Sequence, residues 1–128
     1  MHENERLMRD AYDAMARGDG RVLGRLLTPT SRWIIAGRSA LSGTYTGPDE
    51  IFGLWKAIAA QTGGGLRLQI EDVLANDTRA VVLVRATGER SGNTLDERQV
   101  AVFDIRDGTV DTATFIYEDS EAYEAFWA

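Results

Sequence analysis

Apolar residues recur at three- and four-residue spacing between Glu3 and Arg17: Leu7, Met8, Ala11, Tyr12 and Met15, with Arg6, Arg9, Asp13 and Arg17 between them. That is the period of an amphipathic helix. Gly18 ends it, and Asp19 is placed to cap a second, short helix that buries Val22, Leu23, Leu26 and Leu27 before Pro29 stops it. Ser31 to Ala36 is short, aromatic and branched through Trp33, Ile34 and Ile35, which predicts a strand. The stretch Gly37 to Gly47, rich in Gly, Ser and Thr, predicts a loop or a bent hairpin. Pro48 then opens a third helix, with Asp49 and Glu50 set to complement its dipole. Its apolar stripe is Ile51, Phe52, Leu54, Trp55 and Ile58, and Gly63-Gly64-Gly65 terminates it.

From Leu66 the period changes to two. Leu66, Leu68, Ile70, Asp72 and Leu74 alternate with Arg67, Gln69, Glu71 and Val73, as in a half-buried strand. Asn76-Asp77 is a turn, and long strands follow over Arg79 to Arg90 and Thr94 to Ile105, joined by Ser91-Gly92-Asn93. Arg106-Asp107-Gly108 turns into a last strand, Thr109 to Tyr117, and a short helix from Ser120 to Trp127 closes the chain. Helices followed by a hairpin-connected meander predict one α+β domain over residues 1–128, with helices on one face of a curved antiparallel sheet. The two long strands are apolar in both rows. Val81 and Leu83 alternate with Val82 and Val84, while Ala101 and Phe103 alternate with Val100 and Val102. One row must line the interior; the other is expected to be covered by a second copy of the sheet, giving a homodimer.

Composition narrows the chemistry. The chain has 128 residues, 44% hydrophobic and 27% charged, in the range of a soluble globular domain. It has no cysteine, so disulfides, thiolate metal ligands and a thiol nucleophile are excluded. A net charge of -6 opposes nucleic acid and anionic membranes. His2 is the only histidine, at the very start of the chain, which leaves no imidazole chemistry and no metal site to expect. With no membrane span and no secretory leader in sight, a cytoplasmic location is expected. The glycine triplet lacks the lysine of a phosphate loop.

In order and spacing several of these features resemble the nuclear transport factor 2-like superfamily, within it the SnoaL-like and ketosteroid isomerase-related group. They are Tyr12 with Gly18-Asp19, Trp33 on the first strand, and Ser42-Gly43-Thr44-Tyr45-Thr46-Gly47 before the helix at Pro48. Phe103-Asp104-Ile105-Arg106-Asp107-Gly108 at the last hairpin, Asp119 and Phe126-Trp127 complete the set. The resemblance implies a cone-shaped α+β barrel whose N-terminal helices pack on the concave face of the sheet around an apolar pocket. It also implies a dimer, no metal or organic cofactor, and activities such as ketosteroid isomerisation, polyketide cyclisation or dehydration. Ketosteroid isomerase works with an Asp base and an oxyanion hole of Tyr and protonated Asp. Matched to that pattern, Ile34 stands at the base and Ala101 at the oxyanion Asp, while Tyr12 lies one residue from the oxyanion Tyr. The isomerase machinery is missing.

Other residues must then carry any chemistry. If Ala101 faces the cavity, Glu97 and Gln99 follow it inward on the row Leu95, Glu97, Gln99, Ala101, Phe103, Ile105. A carboxylate entering an apolar cavity has its pKa raised, which suits a general base or acid. If the hairpin tip projects past the barrel instead, Glu97 is solvated and pairs with Arg90 or Arg98. Arg85 points inward toward a ligand or outward to a cross-strand partner, and the smooth row Val82, Val84, Ala86 favours outward. Glu97, Tyr12 and Gln99 are thus the catalytic candidates. Trp33, Tyr45, Trp55, Ala101, Phe103, Phe115 and Tyr117 are the candidate pocket lining, with Tyr12 and Tyr117 as hydroxyl donors. The acids Glu118, Asp119, Glu121 and Glu124 are expected to be a solvated helix face and dipole partner. The leading expectation is a cofactor-independent enzyme acting on a hydrophobic, polyketide- or steroid-like molecule by cyclisation, isomerisation or dehydration. The others are a non-catalytic binding or accessory protein, and a dimerisation domain with a filled cone.

Overall fold

A computed structural model describes all residues, 1–128. The elements follow the order α1 (Glu3–Arg17), α2 (Gly20–Gly24), β1 (Arg32–Ile35), β2 (Gly43–Thr46), α3 (Gly47–Gln61), β3 (Arg67–Ala75), β4 (Arg79–Arg90), β5 (Asn93–Arg106), β6 (Thr109–Tyr117) and α4 (Ser120–Trp127). The six strands form one curved sheet in the order β2-β1-β6-β5-β4-β3. It does not close into a barrel: β2 and β3 remain its two edges. The helices complete the cone. No helix is long and apolar enough to cross a membrane.

The sheet is mixed, against the expected antiparallel one, because β1 pairs with β6 in parallel. The cause lies at the start of both strands. The Ser31 hydroxyl donates to the Val110 carbonyl at 2.6 Å, and the Val110 N–H donates to the Leu26 carbonyl at 2.8 Å. Both strands therefore leave the same anchored end and run side by side. A second departure occurs in β3, where the pairing with β4 shifts between Ile70 and Asp72. One residue too many flips every side chain after it. Val73 becomes buried, while Leu74, expected on the row of Leu68 and Ile70, ends 58% exposed.

The inner face of the sheet carries Ala80, Val82, Val84 and Ala86 of β4 with Ala101, Phe103 and Ile105 of β5, all buried. Met8, Ala11 and Ala14 of α1 and Ile51 and Leu54 of α3 pack against this face in one continuous core. Each large side chain removed from water this way contributes about 1.5–3 kcal/mol. The outer face holds Val81, Leu83, Val100 and Val102, half-buried, and Ile116, exposed. Arg85 lies outward too, forked onto Asp96 at 2.8 and 3.1 Å.

Candidate functional site

The helices do not fill the cone. A cavity of about 840 Å³ remains between them and the inner face of the sheet. Its wall is mostly apolar and takes Met8 and Tyr12 from α1, Leu54 and Trp55 from α3, Trp33 from β1 and Phe103 and Phe115 from the central strands. The rings lie edge to face around the wall: Trp33 is 5.7 Å from Trp55 and 6.1 Å from Phe103, and Tyr12 stands perpendicular to Phe103 at 6.3 Å. Edge-on packing is the arrangement that aromatic quadrupoles favour, so the rings hold one another in place.

One polar part of the wall, Thr62, Arg67 and Gln69, lies where α3 ends and β3 begins; the other lies where β5, β6 and α4 meet. Gln99 of β5 is directly opposite Tyr117 of β6, and both line the cavity. Asp119 caps α4 by accepting from the Ala122 N–H at 3.0 Å. The helix then turns Tyr123, Phe126 and Trp127 inward, and all three are buried. Two contacts pin it. Arg90 donates to the Phe126 and Ala128 carbonyls at 3.3 and 2.8 Å, and the Arg38 N–H donates to Glu124 at 2.7 Å. The Tyr123 ring stacks on Tyr117, centroids 3.5 Å apart and planes within 12°. Both rings, and Trp127, line the cavity.

Glu97 does sit on the inner row, between Leu95 and Gln99. It is only 7% exposed, and neither carboxyl oxygen has a partner in hydrogen-bonding geometry. Burial pushes its pKa up to about 7, helped by the charges of Asp119 and Glu118 and opposed by the Asp119 main-chain N–H. Arg98, a possible partner, turns outward to Glu71 at 2.8 Å and Glu118 at 3.5 Å, and Arg90 is spent on α4. Glu97 lies close enough to Tyr117 and Tyr123 for its charge to oppose their ionisation. It is not itself a wall residue: its oxygens are closed off behind them. Burial alone holds Tyr12 above the usual phenol range, and burial is the main cause for Tyr117 and Tyr123, whose hydroxyls also engage each other, so all three remain neutral.

Of the residues singled out in the sequence, the cavity thus brings together Tyr12, Gln99, Trp33, Trp55, Phe103, Phe115 and Tyr117. Tyr45 stands outside the wall, its hydroxyl donating to the Leu41 carbonyl at 2.8 Å, and Ala101 is buried in the sheet without reaching the cavity. Tyr123 and Trp127 line the cavity as well, and the sequence does not single them out as pocket residues. Their four-residue spacing, with Phe126 between, was the available signal, masked by the acids on the opposite face of α4. No three acidic or histidine side chains come close enough to hold a metal ion.

A curved open sheet, helices over its concave side and a hollow between them define a cone fold shared with solved NTF2-like proteins. The chain belongs to the SnoaL-like domain family, whose profile matches residues 8–112. An uncharacterised protein of Mycobacterium tuberculosis is 31% identical over 95% of this chain and 94% of its own length. Bal32a, from a soil-derived mobile gene cassette, superposes with a TM-score of 0.93 at 30% identity, over 98% of this chain and 96% of that one. TerC, crystallised with polyporic acid, superposes with a TM-score of 0.84 at 21% identity, over 98% of both chains.

Proposed function

We propose that the protein takes a hydrophobic, polycyclic small molecule into its cone and acts on it by acid–base chemistry without a cofactor, as a cyclase, isomerase or dehydratase does. The observation that carries this reading is the cavity itself, a mostly apolar hollow, with a buried, unpartnered carboxyl beneath its wall. Sites of this kind hold ligands by shape and orient them by a few placed polar groups. TerC lends support, since a protein of this fold was crystallised with an organic acid. In the reaction a proton leaves one atom of the substrate and returns at another. Glu97 takes and returns it, while Tyr12, Gln99 and Tyr117 hydrogen-bond the substrate's oxygens. A pKa near 7 suits both halves of that cycle.

The protein does this as a cytoplasmic homodimer, with Leu83, Val100, Val102 and Ile116 of the outer face covered by a second copy. A second reading, binding without turnover, is favoured by one observation: the Glu97 oxygens do not reach the cavity surface. A thermal-shift screen with aromatic polyketides and steroids tests what the readings share. Polycyclic compounds are expected to raise Tm with concentration, and a flat response to all of them contradicts both. Turnover of a stabilising compound, abolished in Glu97→Gln, separates catalyst from carrier.

A further inference from the structure

The cavity opens to solvent at one end. Most residues of its wall are buried or half-buried; the exposed ones are Ala16, Ala59, Gly64, Arg67 and Gln69. They lie in the last turns of α1 and α3, in the turn after α3 and at the start of β3, which places the mouth there. The opposite end, walled by Leu95, Tyr117, Tyr123 and Trp127, is buried and closed. β3 is an edge strand, and at a free edge both of its rows border the opening. Leu66 and Leu68 pack against the core, while Arg67 and Gln69 alternate with them along the rim. Arg67 is the only charged residue on the wall. Elsewhere on the sheet the guanidinium groups are taken: Arg79 by Asp104, Arg85 by Asp96, Arg98 by Glu71 and Arg106 by Asp111. Arg67 has no such carboxylate. Its Nη1 donates to the carbonyls of Gly64 at 3.0 Å and Leu66 at 3.5 Å, which holds the group against the rim and leaves Nε and Nη2 uncommitted.

We propose that this rim is a head-group site: the ligand is an apolar molecule ending in a carboxylate, with its body in the cone and its carboxylate at the mouth on Arg67. The inference rests on the hydrophobic-ligand reading and adds to it the entrance, a binding residue and a functional group. A guanidinium presents its donors as a fork that matches the two oxygens of a carboxylate, and Gln69, two residues along the same row, brings an amide N–H to the same rim. A carboxylate at the opening keeps part of its hydration, so the site avoids the cost of burying a charge. The net charge of -6 opposes an anion over the surface at large. The one cation on the wall therefore sets which end of an amphipathic acid stays at the mouth.

The test compares pyrenebutanoate with its methyl ester, which keeps the rings and loses the charge. Binding is followed at neutral pH through tryptophan emission, since Trp33, Trp55 and Trp127 all border the cavity. The acid is expected to bind about fivefold more tightly than the ester, the gain of a charge-assisted pair at a solvated site. Arg67→Gln abolishes that preference and leaves ester binding unchanged, and Arg67→Lys, which keeps the charge without the fork, retains part of it. Added salt weakens binding of the acid to the wild type but not to Arg67→Gln, and leaves the ester unaffected in both. A merely structural Arg67 would change acid and ester alike and would not move the salt dependence. Equal binding of the two compounds by the wild type, or a preference that survives Arg67→Gln, overturns the head-group site and leaves the hydrophobic-ligand reading standing. Failure of both compounds to bind the wild type removes that reading, and the head-group site with it.

Discussion

Glu97 was half legible in the sequence. Period-two alternation from Leu95 to Ile105 put it on the inner row with Ala101 and Phe103, where it lies. What the alternation could not give is the fate of its neighbours. Arg98 is drawn outward by Glu71, and Arg90 by the carbonyls at the end of α4, so the carboxyl is left alone. The consequence is measurable. Unfolded, Glu97 titrates at its usual 4.5; folded, it keeps its proton to about 7. Between those values the native state holds the extra proton, so stability falls as pH rises from about 4.5 to 7 and levels off above. The loss is on the order of 2 kcal/mol, since the part owed to Glu118 and Asp119 is screened by solvent. Glu97→Gln removes this slope and is more stable than the wild type at pH 8. Urea denaturation at pH 5 and pH 8 checks it, and parallel behaviour of the two proteins counts against a buried, unpartnered carboxyl.

Helices were more readable than strand partners. A helix declares itself through contiguous residues, and α1, from Glu3 to Arg17, follows its apolar stripe without deviation. Strand pairing depends on residues far apart: the parallel contact of β1 with β6 is set by Ser31 and Leu26 reaching Val110, which no local pattern encodes. The β3 bulge likewise reversed the roles of Val73 and Leu74. One junction can be tested with glycines. Gly47, at the start of α3, has φ +81°, and a Cβ there would meet the Pro29 carbonyl oxygen at 3.2 Å. Gly47→Ala is expected to cost about 1–3 kcal/mol. Gly53→Ala, in the same helix with open space around it, is expected to stabilise by about 0.5–1 kcal/mol. Thermal unfolding of the two variants should move in opposite directions. A like shift in both would contradict the conformational argument at Gly47.

For the molecule as a whole, the sequence carried the fold and the family through the order of its elements, but the polar end of the cavity beside α4 only in part. Tyr117 and Gln99 were visible on their strands; Tyr123 was hidden in a helix that reads as acidic from its other side. The outer sheet face makes its own prediction. With Val102 half-buried and Ile116 49% exposed, Val102→Arg and Ile116→Arg are expected to convert a dimer to monomer in sedimentation without loss of helix or strand signal. A wild type that sediments as a monomer removes that expectation. Most depends on whether the hollow between the helices and the sheet receives a guest. A crystal structure of the wild type soaked with the methyl ester of pyrenebutanoate decides this: density is expected inside the cone, against Trp33 and Tyr12. Rings of the protein closed together in that space, with the compound absent, would contradict the account.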